Sequence, residues 1–101
     1  MQNPRRNNRN SSSTSAKFMK FVDTPMSNKR VTDVPGIGKV LGGKMERKGV
    51  GQASELYGTF LTMKKDQQRF ESYLQTNYGA NRKQAGEATK AICEWNHSFA
   101  E

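Results

Sequence analysis

From Asn81 to Phe99 the apolar residues fall at Ala85, Ala88, Ile92, Trp95 and Phe99, in steps of three, four, three and four. That period gathers them into one stripe on a single long helix, and such a stripe must be covered by other elements. Asn81, with Gln84 three residues on, has the pattern of a capping box and predicts where the helix begins.

The same period runs through the chain before it. Phe18, Phe21 and Val22 predict a short helix over 15–22, which Pro25 stops, so that 23–29 is loop. Ile37, Leu41 and Met45, with Val40 beside them, predict an amphipathic helix ended by Gly49; Phe70, Tyr73, Leu74 and Tyr78 predict another, ended by Gly79. Between these lie Ala53, Leu56, Tyr57, Phe60, Leu61 and Met63, apolar around more than half a helix. Such breadth predicts burial on two sides, the second in a subunit interface. Lys64-Lys65-Asp66 interrupts the pattern, and no segment alternates with period two. The fold class is all-α, a compact bundle of about five to six short helices.

A chain of 101 residues supports one modest core. Its 17 Lys and Arg against 9 Asp and Glu give a net charge of +8, which favours a polyanionic partner. Residues 1–13, rich in Asn, Arg and Ser, are too polar to offset their ordering entropy and read as a disordered basic arm. Residues 14–101 form the helical domain. The single cysteine, Cys93, allows no intrachain disulfide and fits a reducing compartment. No apolar run approaches the ~20 residues that span a bilayer, and none follows the arginines as a secretory signal would, so an intracellular protein without membrane insertion is expected.

The stretch VPGIGKVLGGK, residues 34–44, has the form of a helix-hairpin-helix turn. Glycine at such a turn lets backbone N–H groups approach a phosphate, and the helix that opens at Gly38 adds the positive end of its dipole. Lys39 and Lys44 add charge nearby. A turn of this kind binds the sugar-phosphate backbone without reading bases. On these grounds Gly36→Glu is expected to abolish DNA binding without unfolding the protein. An ordinary turn between helices has the same spacing, and the basic balance of the chain decides for phosphate. A dinucleotide fingerprint would need a preceding strand and a third glycine, and a P-loop would need Gly-Lys-Ser/Thr. The start of the last helix, Asn81-Arg82-Lys83, offers a second set of free N–H groups beside two cations.

Catalytic and metal chemistry find no constellation. Cys93 and His97, at i and i+4, could face one metal, but two ligands are too few. Ser98 diverges from His97 around the helix. No cofactor is implied. A helix-hairpin-helix DNA-repair enzyme or its accessory subunit is the alternative from another class; an enzyme of that kind needs a substrate pocket and a larger helical domain. A dimeric adaptor that has lost strong DNA binding is the third reading, against which Gly36, Gly38, Lys44 and Lys83 speak.

From about Phe21 onward, the blocks FVDTPM, GIGKVLGGK, GTFLTMKKD, YGANRKQ and CEWN, in that order and without a gap, resemble the barrier-to-autointegration factor family. The resemblance implies a SAM-like helical fold containing the helix-hairpin-helix element. It also implies a symmetric homodimer that binds double-stranded DNA without sequence preference, bridges duplexes, and works in the nucleus at chromatin and the nuclear envelope, with a cytoplasmic pool allowed. Position by position, its DNA surface would comprise Lys17, the backbone of Gly36, Ile37, Gly38, Val40 and Leu41, then Lys44, Asn81, Arg82 and Lys83. Thr14 and Ser15 match the family's phosphorylation sites; Thr14 would otherwise serve as a helix cap. The dimer and partner surface would involve Leu56, Tyr57, Phe60, Thr62, Arg69 and Tyr73. The family also binds LEM-domain proteins of the nuclear envelope in an apolar groove across the dimer. Tyr57, Thr62, Arg69 and Tyr73 depart from its more aliphatic or Trp-bearing pattern, which argues against retained LEM binding or for an altered partner.

Overall fold

Ser15 accepts a hydrogen bond from the Phe18 N–H at 3.2 Å and so caps the first helix, α1, Ala16–Asp23. The computed structural model describes residues 15–100. The basic arm expected over 1–13, and Thr14, lie outside them; the cap expected at Thr14 is made by Ser15. After the Pro25 loop comes a single 3-10 turn, Val31–Asp33, then α2, Lys39–Arg47, α3, Ala53–Thr62, α4, Gln67–Tyr78, and α5, Arg82–Phe99. Among the described residues there is no strand, and the one extended contact is an isolated bridge between Arg30 and Gln52.

The helix ends follow their sequence signals. Asn81 and Gln84 form the reciprocal capping box, the Asn81 side chain taking the Gln84 N–H at 2.8 Å and the Gln84 side chain taking the Asn81 N–H at 2.9 Å. Gly79 closes α4 at φ +76°, and Gly49 follows α2 at φ +91°, conformations that glycine adopts without Cβ strain. Asp66 caps α4 by accepting from the Arg69 N–H. The turn before it is unusual, because Lys64 and Lys65 stand at φ +57° and +62°, left-handed positions without a glycine.

The long helix α5 organises the core: its face of Ala85, Ala88, Ala91, Ile92 and Trp95 is buried, and α1 and α4 both pack along it. The Trp95 Nε1 donates to the Thr24 carbonyl at 2.9 Å, tying the loop after α1 to this helix. Two expectations about the apolar faces need correction: Val40 is 76% exposed and Phe99 43%, whereas Leu61, 41% exposed, belongs to the broad α3 face whose second side was expected outside the protomer's own core. Phe99 covers Trp95, with ring centroids 4.9 Å apart, but lies past the end of the packed stripe. A residue at the correct helical phase stays exposed when no neighbouring element reaches it.

Candidate nucleic-acid interface

The hairpin turn is anchored by its own apolar residues. Val34 and Ile37 are both fully buried, and the Ile37 N–H donates to the Val34 carbonyl at 3.0 Å. Ile37 therefore fixes the shape of the turn and keeps no backbone donor for a ligand. The first intrahelical bond of α2 runs from the Gly42 N–H to the Gly38 carbonyl at 2.8 Å. The N–H groups of Lys39, Val40 and Leu41 precede that bond and have no helical acceptor. Val40 is exposed, whereas Leu41 is buried.

Gly36 has a packing role of its own. It lies at φ +87°, and a Cβ on it would stand 2.6 Å from the Gln84 carbonyl oxygen and 3.2 Å from the Ala88 nitrogen. The hairpin is thus seated on the first turns of α5, at a distance only glycine allows. Gly36→Glu must disturb the fold, contrary to the expectation from sequence. Gly38, the N-cap of α2 with φ −97°, has no heavy atom within 4 Å of its Cβ position. It is the glycine whose side is open.

Lys17 is brought to the same place from α1. Its Nζ donates to the Ile37 carbonyl at 3.0 Å, on the turn itself. On the other side, Lys44 lies with its Nζ 3.6 Å from the Cβ position of Gly79, just before the cap of α5. Arg82 and Lys83 are exposed at the first two positions of α5. The capping box occupies the Gln84 N–H, and the first intrahelical bond is the Ala85 N–H to the Asn81 carbonyl at 2.9 Å, so the N–H groups of Arg82 and Lys83 have no helical acceptor. Two helix N-termini with unspent donors, joined through Gly36, are flanked by Lys17, Lys39, Lys44, Arg82 and Lys83. This arrangement suits an extended anion. Spacing in the sequence pointed to Lys39, Lys44, Arg82 and Lys83, and the family resemblance to Lys17; neither could foresee the Lys17 contact or the seating of Gly36.

The residues assigned to a dimer and partner surface differ in exposure. Leu56 and Phe60 are buried in the protomer's own core and cannot face a partner; the width of the α3 apolar face is largely used within the chain. Tyr57 is half-buried, its Oη donating to Asn96 Oδ1 at 2.5 Å and its ring set edge-on to Trp95. Thr62 is exposed, its hydroxyl donating to the Thr59 carbonyl at 2.7 Å. Arg69 is exposed on the first turn of α4. Tyr73 is half-buried and shares a hydrogen bond with the Tyr78 hydroxyl at 2.9 Å. Tyr57 and Tyr73 stand at opposite ends of an aromatic run through Phe60 and Phe70. Leu61, part of the broad α3 face that the sequence placed at a subunit interface, and Phe99, which it did not, carry the exposed apolar area on α3 and α5.

Burial, with Glu94 and Glu71 next in importance, pushes the Cys93 thiol up, so it is held as the neutral thiol, a poor metal ligand or nucleophile. Among the described residues no group of three or more His, Cys, Asp and Glu side chains could hold a metal, and no helix is long and apolar enough to cross a membrane.

Comparison with known proteins gives a consistent result. A sequence profile of the family described as barrier to autointegration factor matches residues 12–99. The barrier-to-autointegration factor of Danio rerio is 43% identical over 88 residues, covering 87% of this chain and 98% of its own. That of Homo sapiens is 41% identical over 86 residues, covering 85% and 97%, and that of Drosophila melanogaster is 36% identical over 88 residues, covering 87% and 98%.

Proposed function

The chain belongs to the barrier-to-autointegration factor family, and on that premise we propose that it is a nuclear protein that binds double-stranded DNA without sequence preference and bridges duplexes as a homodimer. The observation that carries the reading is the seating of Gly36 against the Gln84 carbonyl. It holds the donors of α2 and α5 in fixed relation, with Lys17, Lys44, Arg82 and Lys83 around them. Backbone N–H groups and ammonium ions contact phosphates and carry no base information, so binding is indifferent to sequence and weakens with salt.

An isologous dimer copies this surface onto two faces, and one dimer can then hold two duplexes. Leu61 and Phe99, exposed on α3 and α5 beside Tyr57 and Trp95, offer the apolar area for the pairing. Nothing in bridging requires catalysis, and the protonated Cys93 has no activating partner role in this reading. Arg69 presents a charge where a LEM domain would need an apolar groove, so binding to LEM-domain nuclear-envelope proteins is expected to be weak or redirected. The arm of residues 1–13 would add three arginines to the phosphate contacts. Phosphorylation at Thr14 or Ser15 would add about 1.5–2 negative charges within a few residues of Lys17 and repel the DNA backbone.

Gel-shift titrations on duplexes of unrelated sequence across a salt series, with sedimentation of the free protein and an abasic-site cleavage control, test the reading. Equal affinity for every duplex, a steep salt dependence, a dimer mass and no cleavage are expected. Failure to bind duplex DNA at low salt, or cleavage at the abasic site, refutes it.

A further inference from the structure

Beside the hairpin, α1 and the loop that follows it enclose a recess of about 200 Å³ lined by Lys17, Lys20, Phe21, Lys29 and Asp33. That is several times the roughly 30 Å³ share of a water molecule. Phe21 is buried and forms its apolar floor. Lys29 donates to the Thr24 hydroxyl and the Pro25 carbonyl, which fixes its charge at the C-terminal end of α1. The one acid, Asp33, accepts the Arg30 N–H at 2.9 Å in the cap of the 3-10 turn. Lys20 lies three residues from Lys17 on the same face of α1, is exposed, and makes no side-chain hydrogen bond or ion pair among the described residues. Three ammonium groups thus surround the recess against a single carboxylate already engaged in a cap.

The recess is continuous with the hairpin, because Lys17 lines it and also donates to the Ile37 carbonyl. We propose that it is a further phosphate subsite, in which Lys20 contacts the DNA strand next to the phosphate held by the hairpin. The proposal rests on the DNA-binding reading above and extends its footprint across α1. Lys17 is then the shared residue between two phosphate positions, and Lys29 supplies a fixed charge at the back.

The test is the salt dependence of duplex binding by the full chain, comparing wild type with Lys20→Gln, Lys20→Arg and Lys64→Gln. Lys64 lies in the turn between α3 and α4, outside this recess, and its variant controls for net charge. A direct phosphate contact predicts that Lys20→Gln lowers the slope of log K against log salt by about 0.9, with Lys20→Arg restoring it and Lys64→Gln leaving it unchanged. An unchanged slope in Lys20→Gln, or an equal fall in Lys64→Gln, overturns the subsite while leaving the DNA-binding reading intact. A wild-type chain that does not bind duplex DNA overturns both.

Discussion

Substitution at Gly38 separates the proposed phosphate surface from the fold. Nothing lies within 4 Å of its Cβ position and its φ is −97°, so Gly38→Glu meets neither a clash nor a left-handed backbone. Glycine is only a moderate N-cap, and replacing it should cost less than about 1 kcal/mol. The carboxylate, however, enters the site where the proposed phosphate contact would meet the α2 N-terminus. For unit charges about 5 Å apart, 332/(εr) gives about 0.8 kcal/mol at the permittivity of water and about 3.3 kcal/mol at an effective ε of 20. Affinity should therefore fall between about 4-fold and more than 100-fold, since each 1.4 kcal/mol is about a factor of ten.

Gly36→Ala is the counterpart. Its Cβ would stand 2.6 Å from the Gln84 carbonyl oxygen at φ +87°, and strain and overpacking together cost about 2–5 kcal/mol. The melting temperature should drop by about 10 °C or more. Thermal melts by circular dichroism and fluorescence-anisotropy titrations of a duplex, run on both variants at one salt concentration, measure the two effects. A folded Gly38→Glu protein with wild-type affinity, or a Gly36→Ala protein as stable as wild type, would refute the division of labour between the two glycines.

Leu61→Asp places a charge in the exposed apolar area of α3 and should shift the sedimenting species from dimer to monomer; an unchanged dimer mass would remove Leu61 from the interface. Thr89 Oγ1 is buried with no hydrogen-bond partner among the described residues, so Thr89→Val should stabilise the fold by about 1–2 kcal/mol, read as a higher urea midpoint; a lower midpoint contradicts this account. Burial, and then the hydrogen bond and charge of Tyr73, raise the Tyr78 phenol well above its ordinary value of 10.0. The unfolded chain ionises first, so this contribution is intact below about pH 10 and is lost as pH rises above it, at up to about 1.4 kcal/mol per pH unit. Urea titrations at pH 9 and pH 11 should show that alkaline loss in wild type and a smaller one in Tyr78→Phe.

Local signals were legible in sequence because they act over one helical turn. The capping box of Asn81 and Gln84, the left-handed Gly79 and the Pro25 stop each involve residues no more than a few positions apart. What escaped depends on contacts far along the chain. Lys17 reaches Ile37 across twenty positions, and the constraint on Gly36 comes from Gln84. Periodicity assigned Val40, Leu61 and Phe99 to apolar faces correctly in phase, but phase does not say which element arrives to cover them. The paired left-handed lysines at 64 and 65 carried no signal at all, since nothing in lysine favours that backbone.

The same distinction bears on how the site should be read. A Gly-x-Gly turn suggests two glycines with one purpose, yet here their surroundings divide them: Gly36 touches the backbone of α5 and Gly38 faces open space. The first sets the relation between two helix N-termini, and the second leaves the ligand side clear. A phosphate-binding surface of this type therefore depends on a packing contact behind it as much as on the donors in front. Substitutions behind the turn will reduce DNA binding together with stability, and those in front will reduce DNA binding alone. Binding data on hairpin variants identify phosphate contacts only when stability is measured on the same protein.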